Sequence, residues 1–207
     1  TLQIDSHHRF IQNWDTELLK MLELTNSSKP ILTSYAGMYR PQDNQLLNSD
    51  PYKMVADKFT ESGTILFYPH SIPHWQDLTK PEPARFVSGH FFFTLGKHCE
   101  EYKYDPNLYF AGDEISLSIR SFTLGYDLFH PHKIIAWHEY TRKGRTKHWD
   151  DHNEWWKANS KCHKRNRILF GMEENSENIN FGEYGFGKER TLEDYEKYAG
   201  ISFKRRA

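Results

Sequence analysis

Three short stretches of this sequence combine side chains that could bind a metal ion or act as acids and bases. Asp5-Ser6-His7 follows a short apolar segment, Gly112-Asp113-Glu114 precedes an amphipathic segment, and His138 ends an apolar run. Carboxylate oxygens and imidazole nitrogens bind divalent ions such as Mn²⁺, Zn²⁺ and Fe²⁺. Each stretch alone also has a structural explanation, because Asp, Ser and Gly are common in turns and helix caps. Their occurrence together favours a functional site.

The segments that must position these residues alternate between strand-like and helix-like patterns. Helical spacing of apolar residues predicts helices over 14–24, 112–125, 148–170 and 191–198. Short apolar runs predict strands over 1–4, 29–36, 63–68, 126–129 and 134–138, and a strand or buried turn over 85–94. Segments rich in Pro and polar residues predict loops over 39–51 and 70–83. This alternation predicts an α/β fold.

The composition is that of a folded, aromatic-rich protein without a strong net charge. Of the 207 residues, 37% are hydrophobic and 15% aromatic, and the formal net charge is −1. Such a charge gives no reason to expect nucleic acid or an anionic membrane as a partner. No segment reaches the roughly 18 to 20 apolar residues of a membrane span. Cys99 and Cys162 are too few for a disulfide scaffold, so we expect a reducing, cytoplasmic location.

The order of these motifs resembles that of the polypeptide N-acetylgalactosaminyltransferases. In that family an Asp-Ser-His motif and a later His bind Mn²⁺, and a Gly-Glu-Asn segment opens a helix. The matching residues here are Asp5-Ser6-His7, His138 and the segment 112–120. The resemblance implies a glycosyltransferase of the GT-A type.

The chain is similar over more of its length to the hydroxyproline N-acetylglucosaminyltransferases that act on the Skp1 protein. This similarity includes Asp5-Ser6-His7 with Arg9-Phe10, then Trp14-Asp15, the segment around Gly89 and the region 122–138. It covers roughly residues 1–145. It implies a GT-A-like mixed sheet flanked by helices, in one glycosyltransferase domain over 1–207, with 146–207 as a helical C-terminal extension.

In GT-A enzymes, most of the nucleotide-binding half precedes the metal motif. Here only the segment 1–4 precedes Asp5. We therefore expect this chain to be the metal-binding and acceptor-side portion, with much of the N-terminal nucleotide-binding half lacking.

The implied activity is the metal-dependent, retaining transfer of a sugar from a UDP-sugar donor to a hydroxyl group of a protein or glycan acceptor. By resemblance the donor is UDP-GlcNAc and the cofactor is Mn²⁺ or another divalent cation. The implied metal ligands are Asp5, His7 and His138. The implied catalytic residues are Asp113 and Glu114, which would bind sugar hydroxyls or orient the acceptor. The implied substrate contacts are Gly89, His90, Trp75 and Arg142.

Two other interpretations remain open at this point. Asp5, His7 and His138 also make the ligand set of a non-haem iron or zinc enzyme, because two histidines and one carboxylate suit either ion. A catalytically inert module that keeps only an acceptor groove is the second alternative. In addition, His8 lies next to His7, so either imidazole could face a metal.

Overall fold

The computed structural model describes residues 1–110, 112–141 and 144–207 and shows a mixed α/β fold. Its chain divides into two units. Unit 1 comprises Thr1–Val55, Tyr68–Cys99 and Tyr126–Tyr140. Unit 2 comprises Ala56–Phe67, Glu100–Gly125 and Thr141–Ala207. The predicted fold class, mixed sheets flanked by helices, is confirmed.

The elements are mostly short and follow one another closely. The strands are β1 (Leu2–Ile4), β2 (His8–Phe10), β3 (Pro30–Thr33), β4 (Gly37–Arg40), β5 (Gln45–Leu46), β6 (Tyr52–Phe59), β7 (Ile65–Ser71), β8 (Glu82–Pro83), β9 (Phe91–Thr94), β10 (Asp127–His130) and β11 (Ala136–His138). The helices are α1 (Trp14–Leu24), α2 (Lys97–Glu101), α3 (Asp113–Thr123), α4 (His148–Asp151), α5 (Trp155–Leu169) and α6 (Leu192–Ala199). Short 3₁₀ turns cover Trp75–Asp77 and Gly182–Tyr184.

Unit 1 is built on two mixed sheets. The first has the strand order β1-β9-β3-β10-β8, in which β3 and β10 are parallel and the other neighbours are antiparallel. The second has the order β2-β11-β4-β5, in which β11 and β4 are parallel. Parallel pairs need long connections between their strands, so residues far apart in sequence become neighbours in both sheets.

The core of unit 1 forms where helix α1 packs against strand β3. Leu18, Met21 and Leu22 recur at helical spacing and are buried, and Leu18 is 0% exposed. Burial of one such side chain contributes about 1.5–3 kcal/mol. The other buried members of this cluster are Leu32, Phe91, Phe93, Ile135 and Ala136. The cluster therefore supports strands β9 and β11, which carry candidate site residues at or next to their ends.

Unit 2 has a core in which helix α3 packs against helix α6. Phe122 of α3 lies against Tyr195 and Tyr198 of α6, with ring centroids 5.4 and 5.1 Å apart. Arg120, one helical turn earlier, is 2% exposed and lies 4.2 Å from the centre of the Tyr102 ring.

The buried Arg120 guanidinium also donates hydrogen bonds to the backbone carbonyls of Lys103, Glu183 and Gly185. A buried charge needs such partners. Arg120 therefore has a structural role in unit 2.

The structure differs from the sequence-based expectation in several places. The predicted loop 70–83 contains the end of β7 and all of β8. The predicted loop 39–51 contains the end of β4 and all of β5, and the strand β6 follows it directly. The predicted helix over 148–170 is interrupted at His152, whose backbone is not helical (φ −124°, ψ 88°), so that α4 and α5 are separate. Among the described residues, no helix is long and apolar enough to cross a membrane.

Candidate metal centre

The chain crosses from one sheet of unit 1 to the other at Asp5, Ser6 and His7. Strand β1 ends at Ile4 in the first sheet, and β2 begins at His8 in the second. The three residues between them bend instead of pairing. The side chains of Asp5 and His7 come close together at this bend.

Strand pairing brings His138 to this bend. Strand β2 pairs antiparallel with β11, and His8 lies opposite His138 in the register. The backbone N–H of Glu139 donates to the carbonyl of His7 at 3.1 Å, which extends the pairing by one residue. His138 is 133 positions from Asp5 in sequence, yet the register places it beside that residue.

Asp5, His7 and His138 offer one possible ligand atom each, and these atoms all lie within 4.8 Å of one another. Asp5 Oδ2 is 3.1 Å from His138 Nε2 and 3.6 Å from His7 Nε2. Ligand atoms around an octahedral ion at about 2.1 Å stand roughly 3 Å apart. The spacing of the three side chains therefore fits a single divalent ion.

The charge of Asp5 also suits a cation. The hydrogen bond from His138 lowers the pKa of Asp5 below its usual value and outweighs burial, which raises it. The carboxylate is therefore ionised at neutral pH. His138 Nδ1 is buried and has no hydrogen-bond partner among the described residues, an arrangement that leaves one nitrogen of this ring unused by the fold.

A second group consists of His8, His90 and His138, which also place one nitrogen each within 4.8 Å of one another. His8 Nε2 lies 3.3 Å from His90 Nδ1, and the His90 and His138 ring centroids are 4.6 Å apart. Burial lowers the pKa of His8 to about 4 and that of His90 to about 3. Both imidazoles are therefore neutral at pH 7.

The sequence does not indicate this second group as a unit. From the sequence, His8 is expected only as an alternative to His7, and His90 as a substrate contact. The isolated bridge between Ser88 and Phe91 forms a tight turn that carries His90. No short sequence pattern links that turn to β2, so the meeting of the two histidines depends on the three-dimensional pairing.

Two more of the predicted substrate contacts, Gly89 and Trp75, form hydrogen bonds within unit 1. The Gly89 carbonyl accepts a hydrogen bond of 2.8 Å from the Gln3 side chain. Trp75 Nε1 donates to Asp50 Oδ1 at 3.2 Å, which ties its 3₁₀ turn to the segment before β6. Arg142 lies outside the described residues. These two contacts keep Gly89 and Trp75 in place but do not test a role in substrate binding.

Asp113 and Glu114 begin helix α3 in unit 2. Gly112 precedes them with φ 93°, a left-handed conformation that favours glycine, and its carbonyl accepts a hydrogen bond from Asn166 at 2.9 Å. Burial raises the pKa of Asp113, although the Arg120 charge opposes the rise. Unit 2 thus holds a half-buried carboxyl group at a helix N-terminus, where the helix dipole also favours the ionised form.

Comparisons with known proteins identify the family of the chain and a similar fold. No curated protein matches the chain, whereas the model of the family Glycosyltransferase (GlcNAc) matches residues 1–205. Among solved structures, GalNAc-T7 with UDP, GalNAc and Mn²⁺ is similar over 98% of this chain, with 14% identity and a TM-score of 0.52. The chain covers 38% of the length of that protein, and such low identity shows a likeness of fold. Because the family model spans nearly every residue, the chain belongs to the Glycosyltransferase (GlcNAc) family.

Proposed function

We propose that this chain carries the metal-binding and acceptor-side part of a retaining glycosyltransferase. The observation that carries the proposal is the convergence of Asp5, His7 and His138 in a chain of a glycosyltransferase family. The family description supports N-acetylglucosamine as the transferred sugar, and UDP-GlcNAc as the donor. The acceptor is a hydroxyl group of a protein or a glycan.

Transfer from a nucleoside diphosphate sugar breaks the bond between the anomeric carbon and a phosphate oxygen, and a new bond forms to the acceptor oxygen. Negative charge accumulates on the departing diphosphate, so electrostatic stabilisation is the main catalytic requirement. Asp5, His7 and His138 would hold Mn²⁺ or another divalent cation. When bound, that cation supplies Lewis-acid stabilisation of the diphosphate.

Other residues would bind and orient the two substrates. Asp113 and Glu114 would accept hydrogen bonds from hydroxyl groups of the sugar or the acceptor, because an ionised carboxylate only accepts. Gly89 would allow the sugar to approach the backbone closely, since it has no side chain. The remaining proposed substrate contacts are His90, Trp75 and Arg142.

The proposal is tested by titrating Mn²⁺ into the protein by calorimetry, with and without UDP. We expect Mn²⁺ to bind, UDP to strengthen that binding, and His7→Ala/His138→Ala to weaken it by at least ~100-fold, since changes to outer groups alone cost 10- to 100-fold. His70→Ala serves as the matched control, because His70 is an exposed histidine outside the group.

Three results would contradict the proposal in different ways. Mn²⁺ binding that is indifferent to UDP would mean that this chain lacks a nucleotide site. Binding of Fe²⁺ together with a 2-oxoacid, in place of UDP, would favour the non-haem iron interpretation of the same ligands. Absence of any metal binding would leave Asp5 and His7 as ordinary turn residues and favour an inert module.

A further inference from the structure

We propose that His8, His90 and His138 form a second metal site, selective for Zn²⁺, and that it competes with the Asp5–His7–His138 group for one imidazole. The zinc site stands on its own geometry and does not require transferase activity. Only the consequence for Mn²⁺ binding rests on the proposed function.

The hydrogen bond of His8 fixes where its lone pair points. His8 Nδ1 lies 2.9 Å from the backbone carbonyl oxygen of Asp5. A carbonyl oxygen only accepts, so Nδ1 carries the proton of the neutral ring. His8 Nε2 therefore presents an unshared electron pair. A metal-binding histidine commonly donates its other ring N–H to a carbonyl in this way.

The hydrogen bonds of His90 lead to the same result on the facing ring. The Tyr140 hydroxyl donates its single proton to the carbonyl of Ala36 at 2.8 Å. Toward His90 Nε2, at 3.4 Å, that hydroxyl can only accept. His90 Nε2 therefore carries the proton, and Nδ1 presents a lone pair to His8. Tyr35, stacked 5.5 Å from the His90 ring and tilted by 7°, supports this orientation.

His8 Nε2 and His90 Nδ1 face each other at 3.3 Å, so both nitrogens can bind one metal ion. Nitrogen ligands at 2.0–2.1 Å from a tetrahedral Zn²⁺ stand about 3.3–3.4 Å apart, which is the separation between His8 and His90. His138 supplies the third nitrogen.

Three uncharged imidazoles distinguish this site from the neighbouring one. Nitrogen ligands favour Zn²⁺, whereas Mn²⁺ prefers sites with carboxylate oxygens, such as Asp5. Three histidines with a fourth position open to water or substrate is an established catalytic arrangement for zinc. We therefore expect Zn²⁺ to choose the three imidazoles and Mn²⁺ to choose the group that contains the carboxylate.

His138 belongs to both groups, and this makes them exclusive. A neutral imidazole has one lone pair and therefore binds one ion at a time. Zn²⁺ on His8, His90 and His138 would remove His138 from Asp5 and His7, which would then keep only two ligands. Zinc is thus expected to inhibit Mn²⁺ binding through the one side chain that the two groups share.

The test measures metal affinities directly, with Zn²⁺ and Mn²⁺ titrated into the wild-type chain, His90→Gln and Asp5→Asn. His90→Gln should lower Zn²⁺ affinity by at least ~100-fold and leave Mn²⁺ affinity unchanged, and Asp5→Asn should do the reverse. Tyr140→Phe should weaken Zn²⁺ by roughly 10- to 100-fold, since it removes an outer hydrogen-bond partner. This variant keeps all three histidines and tests the proposal even if His90→Gln fails to fold.

Two measurements separate this inference from the proposed transferase function. The zinc titrations contain no UDP, so their result does not depend on a nucleotide site. Zn²⁺-loaded protein should then bind Mn²⁺ at least ~10-fold more weakly than metal-free protein, which follows from losing one ligand. Unchanged Zn²⁺ affinity in His90→Gln, loss of Zn²⁺ in Asp5→Asn, or equal Mn²⁺ affinity in Zn²⁺-loaded and metal-free protein would each overturn the inference.

Discussion

Acid should destabilise unit 1 through a histidine that the unit buries almost completely. His130 is 2% exposed. Its Nδ1 donates to the carbonyl of Thr33 at 2.7 Å, and its Nε2 accepts from the backbone N–H of Met54 at 3.4 Å. Burial lowers the pKa of His130 to about 4, although the bond to Thr33 opposes this shift. A proton added to Nε2 would face the Met54 N–H, and that N–H would lose its hydrogen-bond acceptor.

The sign and size of the effect follow from the two pKa values. The pKa of His130 is about 4 in the folded chain against an ordinary value of 6.5, so the unfolded state binds more protons between these values. The stability contributed by neutral His130 is therefore present above pH 6.5 and lost as the pH falls toward 4. At about 1.4 kcal/mol for each pKa unit, the loss by pH 4 is roughly 3 kcal/mol.

The assay is urea unfolding of the wild-type chain and of His130→Gln at several pH values from 7 to 4. Glutamine can still donate and accept but does not titrate. We expect the stability advantage of the wild type over the variant to shrink by about 3 kcal/mol between pH 7 and pH 4. A constant difference over this range would refute the argument, because other titrating groups affect both proteins equally.

Three further predictions concern a glycine, a buried arginine and the two cysteines. Gly112→Ala should lower the stability in urea by at least ~1 kcal/mol more than Gly171→Ala. Both positions have positive φ, but a Cβ on Gly112 would lie 2.5 Å from the side-chain nitrogen of Asn166, whereas nothing lies within 4 Å of a Cβ on Gly171. Arg120→Met should lower the free energy of unfolding by about 1–3 kcal/mol, because the guanidinium hydrogen bonds to three backbone carbonyls are lost. A thiol reagent should label the exposed Cys99 quickly and Cys162 only on unfolding, since burial raises the pKa of the Cys162 thiol; equal rates would contradict this assignment.

The helices that the sequence predicted best are those with a strong local signal. Helix α1 has the predicted bounds, Trp14–Leu24, because its apolar spacing is regular and Pro30 starts the next strand. Helix α3 follows Gly112 and ends before Gly125, as predicted from the two glycines. In both cases the information lies within one or two turns of the chain, where periodicity and end signals are reliable.

Strands with mixed side chains were predicted poorly. Strand β6 runs over Tyr52–Phe59, but its residues alternate between partly buried and exposed, with Lys53, Asp57 and Lys58 among them. Its only partner in the two-stranded sheet is β7, the next strand along the chain. Strand stability depends on such cross-strand neighbours more than on intrinsic preference, so the segment has no clear local pattern to detect.

The candidate metal ligands could be selected from the sequence, but their geometry could not. Asp5 and His7 stand close together after a strand, which is a local signal. His138 joins them only through the antiparallel register between β2 and β11. The same register sets His8 opposite His138, and a shift by one residue would reverse which side chains face the bend. The three-histidine group follows from this register and from the turn that carries His90.

The burial of Asp113 supports a further expectation about function and stability. Burial raises the pKa of this carboxyl group, which means that the folded chain disfavours the charge that a sugar-binding carboxylate needs. Asp113→Asn removes that charge at nearly constant size, so we expect a higher urea midpoint at pH 7 together with reduced transfer from UDP-GlcNAc. Glu193→Gln is the matched control, because Glu193 is an exposed carboxyl group in the first turn of helix α6 and has no proposed role in substrate binding. A lower urea midpoint for Asp113→Asn would contradict this expectation. It would mean that the helix N-terminus and Arg120 stabilise the carboxylate by more than its desolvation costs, so that the charge stabilises the fold.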